Sequence, residues 1–102
     1  LSVPMAVPKA VVSPPISPPM LDGLREMMRL VVTNGTARDI AGSGEVYGKT
    51  GEAEFQGGSH AWFAGYRGDM AFAALIVGGG SSEYAVRMVK MMLDELPADY
   101  LA

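Results

Sequence analysis

The most informative segment of this sequence is Val46-Tyr47-Gly48-Lys49-Thr50-Gly51-Glu52-Ala53-Glu54-Phe55. It predicts a β-strand over Glu45–Phe55, and the glycine-rich segment Gln56–Ser59 predicts a turn after it. Because successive side chains of a strand point to opposite faces, Lys49 and Gly51 share one face and Thr50 lies on the other. Lys49, Thr50 and Gly51 thus provide, in consecutive positions, a cation, a hydroxyl group and a position without a side chain.

Two further strands are predicted after this turn. They span His60–Tyr66 and Met70–Val77, and the tight turn Arg67–Asp69 joins them. The third strand is apolar without alternation, which predicts that both of its faces are buried.

One helix is predicted on either side of the strands. The first has Ser17 as its N-cap and Pro18 at its first position, and it ends near Gly35, which is expected to be left-handed. The second is Glu83–Leu96, with Ser82 as its N-cap. Apolar residues at spacings of three and four form one stripe on each helix: Leu21, Leu24, Met28 and Val31, then Ala85, Met88, Val89, Met92 and Leu96. The expected fold is α+β, in the order helix, three-stranded antiparallel meander and C-terminal helix.

The composition favours part of a larger domain. The chain has 102 residues, of which 49% are apolar, and a chain this short leaves much of its surface exposed. Residues 1–19 hold six of the seven prolines and are predicted to form an extended arm on another surface, in preference to a disordered linker. Residues 20–102 are predicted to form the folded part.

Charge and residue usage exclude several classes of partner. The formal net charge is −3 without a basic cluster, which argues against nucleic acid. The chain has no cysteine and a single histidine, so neither a disulfide framework nor a structural metal is expected. The longest apolar run, Met70–Val77, is too short to span a membrane.

Three motifs in a fixed order carry a resemblance to a known family. They are Val32–Ala37, Gly48–Glu54 and His60–Tyr66. From about Met20 to Leu96 the chain resembles the C-terminal part of the transpeptidase domain of class B penicillin-binding proteins, a β-lactamase-like fold. The following segment, Gly-Gly-Gly-Ser-Ser-Glu-Tyr before a Met-rich helix, is similar to the penicillin-binding lipoproteins of mycobacteria.

The chain also departs from this family. It contains no Ser followed three residues later by Lys, and no Ser-x-Asn. Both normally precede Lys-Thr-Gly, so a complementary segment carrying S-x-x-K and S-x-N is expected as a partner, and this chain alone is expected to be inactive. Glu52 replaces the usual Thr. Its carboxylate points away from the substrate, is neutralised by a nearby cation, or tunes the choice of β-lactam.

The resemblance implies a peptidoglycan D,D-transpeptidase that forms an acyl-serine intermediate and is the target of β-lactams. Lys49 would supply positive potential beside the serine of Ser-x-Asn, and the backbone N–H of Glu52 would form half of the oxyanion hole. Thr50 would donate its hydroxyl proton to the substrate carboxylate, because the twist of the strand would let both Thr50 and Lys49 reach the site. Gly51 would admit a substrate that lies along the strand. No cofactor is implied.

The resemblance also implies partners and a location. Stem peptides and β-lactams are the expected ligands, a glycosyltransferase is a candidate partner, and the site is the extracytoplasmic face of the cell membrane, reached through an anchor in a segment absent here. The alternatives are a D,D-carboxypeptidase or serine β-lactamase, and a non-enzymatic β-lactam sensor. His60 is interpreted as structural, and Trp62 and Phe63 are expected to pack between sheet and helix.

Overall fold

The computed structural model describes residues 8, 10, 13–97 and 99–100. The helices are α1 (Pro18–Thr33) and α2 (Ser82–Glu95), with a 3-10 turn at Arg38–Ile40, and the strands are β1 (Val46–Phe55), β2 (Gly58–Arg67) and β3 (Met70–Ile76). This order confirms the predicted α+β arrangement of helix, three strands and C-terminal helix.

The three strands form an antiparallel meander in the order β1-β2-β3. The register between β1 and β2 is continuous from Val46 opposite Arg67 to Phe55 opposite Gly58, without a bulge. Regular pairing keeps the two-residue alternation of side chains along the whole of β1. Among the described residues, β1 and β3 are the edges of the sheet.

The hydrophobic core lies between one face of the sheet and α2. Phe63 of β2 is fully buried there and packs against Phe72 of β3, with ring centroids 5.3 Å apart. Helix α1 lies beside β1, where the Arg29 guanidinium donates to the Val46 carbonyl at 2.7 Å. The buried core residues come from every element: Val32, Ala37, Ile40, Val46, Ala61, Phe63, Met70, Ala85, Val86, Val89 and Leu93.

Within the described residues β3 is buried on one face, so burial of its second face stays a prediction that depends on a partner surface. Its side chains alternate in exposure, and Leu75 on the outer face is 59% exposed. Helix α2 covers the opposite face, so an unbroken apolar sequence here accompanies burial on one side.

The prediction for α2 needs two corrections. The N-cap is Ser81, whose hydroxyl accepts from the Glu83 N–H, and not Ser82. The buried stripe is Ala85, Val86, Val89 and Leu93, while Met88 and Met92 are exposed. Because apolar residues cover more than half of this helix, spacing alone did not define the buried face. Alanine, valine and leucine side chains pack against the sheet, whereas these two methionines face outward.

The C-terminus of α1 also differs from the prediction. Gly35 does not adopt the left-handed conformation. It is needed for a different reason, since a Cβ at this position would lie 2.9 Å from the Val31 carbonyl oxygen. At the other end, Ser17 is the N-cap residue, but its hydroxyl makes no capping hydrogen bond. The predicted stripe of α1 is only partly covered, and Leu24 is 41% exposed.

The N-terminal arm is described only in part. Residues 13–17 have no regular helix or strand. Residues 1–7, 9, 11 and 12 lie outside the described part of the chain, so the docked arm remains a prediction. In the described ranges, no helix combines the length and apolarity needed to cross a membrane.

Candidate active site on strand β1

Lys49 lies in the middle of β1 with its side chain on the sheet face opposite α2. The residue is exposed, and its ammonium group donates to the Thr50 carbonyl oxygen at 2.6 Å. On the same face, the Tyr47 ring stacks on Tyr66, with centroids 4.7 Å apart. Lys49 is therefore a solvent-accessible cation held close to the backbone at the edge of the sheet.

Thr50 lies on the other face of the strand. It is only 4% exposed, and its hydroxyl is 2.6 Å from the Thr36 hydroxyl. The regular strand thus directs the Lys49 ammonium and the Thr50 hydroxyl to opposite faces, as alternation predicts. The structure does not bring these two groups together, whereas the resemblance implies that both reach the site.

The free edge of β1 exposes backbone groups at alternate residues. A residue in an antiparallel strand directs its N–H and C=O to the same side. The carbonyl of Val46 accepts from Arg29, and that of Thr50 accepts from Lys49, so even-numbered residues direct these groups away from β2. By this parity the N–H of Glu52 also points to the free edge, which is where an added strand or an oxyanion can reach it.

Gly51 is covered by the Trp62 side chain from the neighbouring strand. The two residues are paired in the sheet, and a Cβ on Gly51 would lie 2.0 Å from Cζ2 of the indole. Trp62 therefore lies on the Lys49 face, and the prediction that it packs between sheet and helix is wrong for Trp62. The same prediction is confirmed for Phe63. The close packing of Trp62 gives Gly51 a structural role in addition to substrate access.

The Glu52 side chain extends toward the N-terminus of α2. Its carboxylate oxygen Oε2 accepts from the Ser82 backbone N–H at 3.1 Å. The first N–H groups of a helix lack partners within the helix, and the helix dipole favours a negative charge there. The carboxylate therefore points away from the Lys49 face and lies on the face that carries Thr50, so the three alternatives for Glu52 stay open.

His60 has two structural contacts. Its Nδ1 accepts from the Gly78 backbone N–H at 2.8 Å, and its ring stacks on Phe55 with centroids 4.6 Å apart. The Nδ1 atom is thus engaged by the backbone at the end of β3. These contacts agree with the structural interpretation of His60.

A separate cleft of about 680 Å³ lies where β1 begins. Tyr66 and Arg67 contribute to its lining, and the Tyr66 hydroxyl and Arg67 Nη2 are buried without a hydrogen-bond partner in the described part of the chain. Lys49, Thr50 and Gly51 do not line this cleft. It is therefore distinct from the edge that carries the predicted site residues.

Sequence reasoning did not assign a role to Thr36 or Arg29. Thr36 belongs to the motif Val32–Ala37, which carries the family resemblance but does not indicate a contact with Thr50. Arg29 had none, because its contact with the Val46 carbonyl depends on how α1 lies against β1.

Comparison with protein families assigns the chain to a class. Residues 4–94 match the model of the penicillin-binding protein transpeptidase domain. The chain belongs to this family. Searches of curated proteins and of solved structures gave no significant match.

Proposed function

We propose that the protein is a peptidoglycan D,D-transpeptidase that forms an acyl-serine intermediate, and that this chain supplies its Lys-Thr-Gly strand. The observation that carries the proposal is the free edge of β1. There, an exposed Lys49 ammonium lies beside the outward-directed backbone of Thr50 and Glu52. The family match over residues 4–94 supports transpeptidase chemistry.

The reaction is acyl transfer on a stem peptide that ends in D-Ala-D-Ala. A serine hydroxyl attacks the penultimate carbonyl carbon, its proton passes to a base, and the terminal D-Ala leaves with a proton on its amine. An amine of a neighbouring stem then attacks the ester and releases the serine. The serine and its lysine belong to a complementary segment with S-x-x-K, which this sequence does not contain.

Lys49 contributes a positive potential at this centre. Its ammonium retains two N–H donors beyond the one that bonds to the Thr50 carbonyl. These donors are available to the serine of an S-x-N segment. The charge also attracts the carboxylate of the stem peptide or of a β-lactam.

The backbone of β1 supplies the remaining contacts. The outward N–H of Glu52 forms half of the oxyanion hole, where a fixed donor stabilises the negative oxygen that develops during attack. The substrate lies along the edge as an added strand. We take from the family resemblance that the Thr50 hydroxyl donates to the substrate carboxylate, although it lies on the face of β1 opposite the Lys49 ammonium. Gly51 keeps the strand free of a Cβ.

The finer assignment follows the sequence resemblance. We propose a class B enzyme of the mycobacterial penicillin-binding lipoprotein type, located at the extracytoplasmic face of the membrane, with a glycosyltransferase as a partner. A D,D-carboxypeptidase, a serine β-lactamase and a sensor without catalysis are the competing functions. A deacylating Glu in the complementary segment would indicate a hydrolase.

The test is the second-order rate of acylation by a β-lactam in the full-length protein. Lys49→Ala should reduce this rate by at least about 10-fold, since a hydrogen bond to a charged group is worth about 1.5–3 kcal/mol. Lys90→Ala is the matched control, because Lys90 is half-buried on α2 and its ammonium pairs with Asp94. An equal loss in both variants would contradict the proposal.

A further inference from the structure

The hydroxyl groups of Thr36 and Thr50 form a hydrogen bond beside β1. Thr50 is almost completely buried, whereas Thr36 is exposed, and their oxygen atoms are 2.6 Å apart. Thr36 is the only side chain among the described residues that hydrogen-bonds to the Thr50 hydroxyl. The orientation of the Thr50 hydroxyl therefore depends on Thr36.

The backbone holds Thr36 at a defined position. The Val31 carbonyl accepts from the Gly35 N–H at 3.2 Å and from the Ala37 N–H at 3.1 Å. Ala37 is fully buried, and Gly35 has no room for a Cβ. Thr36 is thus fixed between two anchored neighbours, so its hydroxyl is placed by the end of α1.

We propose that Thr36 is a positioning residue for substrate carboxylate binding and acts through the Thr50 hydroxyl. This inference rests on the proposed function, in which Thr50 donates to that carboxylate. A hydroxyl has one proton and two acceptor lone pairs. When Thr50 donates its proton to the carboxylate, its oxygen accepts from Thr36, so the two hydroxyls form a chain that ends on the anion. Donation from Thr36 polarises the Thr50 O–H bond and strengthens its contact with the negative charge.

A purely structural role for Thr36 predicts something different. If the Thr36 hydroxyl only satisfied a buried oxygen, its loss would affect all ligands alike. A positioning role requires that the loss be larger for a ligand with a free carboxylate than for one without.

The experiment compares a β-lactam acid with its carboxylate ester in the full-length protein. We expect Thr36→Val to lower the acylation rate by the acid about 2- to 10-fold, the range of one neutral hydrogen bond, and to leave the rate for the ester nearly unchanged. Thr36→Ser should restore the rate, because it retains the hydroxyl. Thr36→Ala repeats the deletion without a β-branched side chain. Thr33→Val is the control, since the Thr33 hydroxyl lies within hydrogen-bond distance of the Arg29 carbonyl and of Asn34 Oδ1, and its contacts do not include Thr50.

Thr50→Val separates the two hypotheses. If it lowers the rates for acid and ester equally, Thr50 is not a carboxylate donor, and that part of the proposed function fails. If Thr50→Val affects the acid selectively but neither Thr36→Val nor Thr36→Ala does, only the inference about Thr36 is overturned. In the double variant Thr36→Val/Thr50→Val, the loss for the acid should equal that of Thr50→Val alone, because Thr36 acts through Thr50. Additive losses would overturn the positioning role.

Discussion

The Glu52 carboxylate accepts a hydrogen bond from the Ser82 backbone N–H, which joins β1 to the first residue of α2 across 30 positions of sequence. Ser81 caps the same helix end through its hydroxyl, which accepts from Glu83. The acidic residue after Lys-Thr-Gly therefore acts as an additional helix cap.

Removing this cap should destabilise the protein without abolishing acylation. Glu52→Ala should lower the free energy of unfolding by about 0.5–2 kcal/mol, the usual effect of losing an N-terminal cap. Chemical denaturation of the full-length protein measures this difference. Glu54→Ala is the control, because Glu54 lies on the same strand face and has no hydrogen-bond partner among the described residues. Equal changes in the two variants would show that the contact with Ser82 does not stabilise the fold.

Lys49 and Glu52 should differ in their effect on acylation. Lys49→Ala removes the cation at the free edge, whereas Glu52→Ala keeps the backbone N–H that is proposed for the oxyanion hole. We expect the larger loss for Lys49→Ala when second-order acylation rates are compared. Equal losses would mean that the Glu52 side chain itself takes part in the reaction, contrary to its position at α2.

Gly51 should not tolerate a side chain while Trp62 is present. The Cβ of Gly51→Ala would overlap the indole, and overpacking of this kind typically costs about 1–3 kcal/mol. The loss is measured by thermal unfolding, and displacement of Trp62, the single tryptophan within residues 1–102, by its fluorescence. Gly42→Ala is the control, since nothing lies within 4 Å of its Cβ position. Trp62→Ala should partly relieve the effect of Gly51→Ala, and strictly additive losses would contradict the contact.

The Asp94 carboxylate should make the free energy of unfolding depend on pH. Hydrogen bonds from Lys90 and then from Ser43 lower the pKa of Asp94 below its ordinary value of 3.8. A lowered pKa means that the folded state favours the ionised form. This contribution is present above pH 3.8 and is lost as the pH falls through the lower pKa of the folded state. Asp94→Asn should therefore lower the free energy of unfolding near neutral pH. In the variant, this free energy should also fall less steeply as the pH is lowered.

The matched control for this pH experiment is Asp22→Asn on α1, where the carboxylate is exposed. Unfolding by denaturant at a series of pH values should show a flatter acid limb for Asp94→Asn only. If the free energy of unfolding falls equally steeply in acid for both variants and for the parent protein, Asp94 makes no such contribution.

The sequence predicted those features that depend on local period and turn chemistry. The three strands and the opposite orientation of Lys49 and Thr50 follow from alternation in a strand without bulges. The buried stripe of α2 did not follow from spacing, because apolar residues occupy most of its circumference. Tertiary packing selected Val86 and Leu93 over Met88 and Met92.

The contacts that organise the candidate site were beyond sequence reasoning. The partner of Glu52 is a backbone N–H, which carries no side-chain signature, and it lies on a different element. Thr36 and Thr50 are both common hydroxyl residues, and their contact requires the end of α1 to lie next to β1. Trp62 covers Gly51 because the register of β1 and β2 places these two residues opposite each other.

If this chain is the Lys-Thr-Gly part of an acyl-serine transpeptidase, the covalent adduct with a β-lactam should form on a serine elsewhere in the full-length protein. The full-length protein is incubated with a penicillin, and intact mass spectrometry followed by peptide mapping identifies the acylated residue. We expect one adduct, on the serine of an S-x-x-K segment outside residues 1–102, and a strongly reduced rate of its formation in Lys49→Ala. The isolated chain should remain unlabelled. An adduct on any residue of this chain, or no adduct on the full-length protein, would contradict the account.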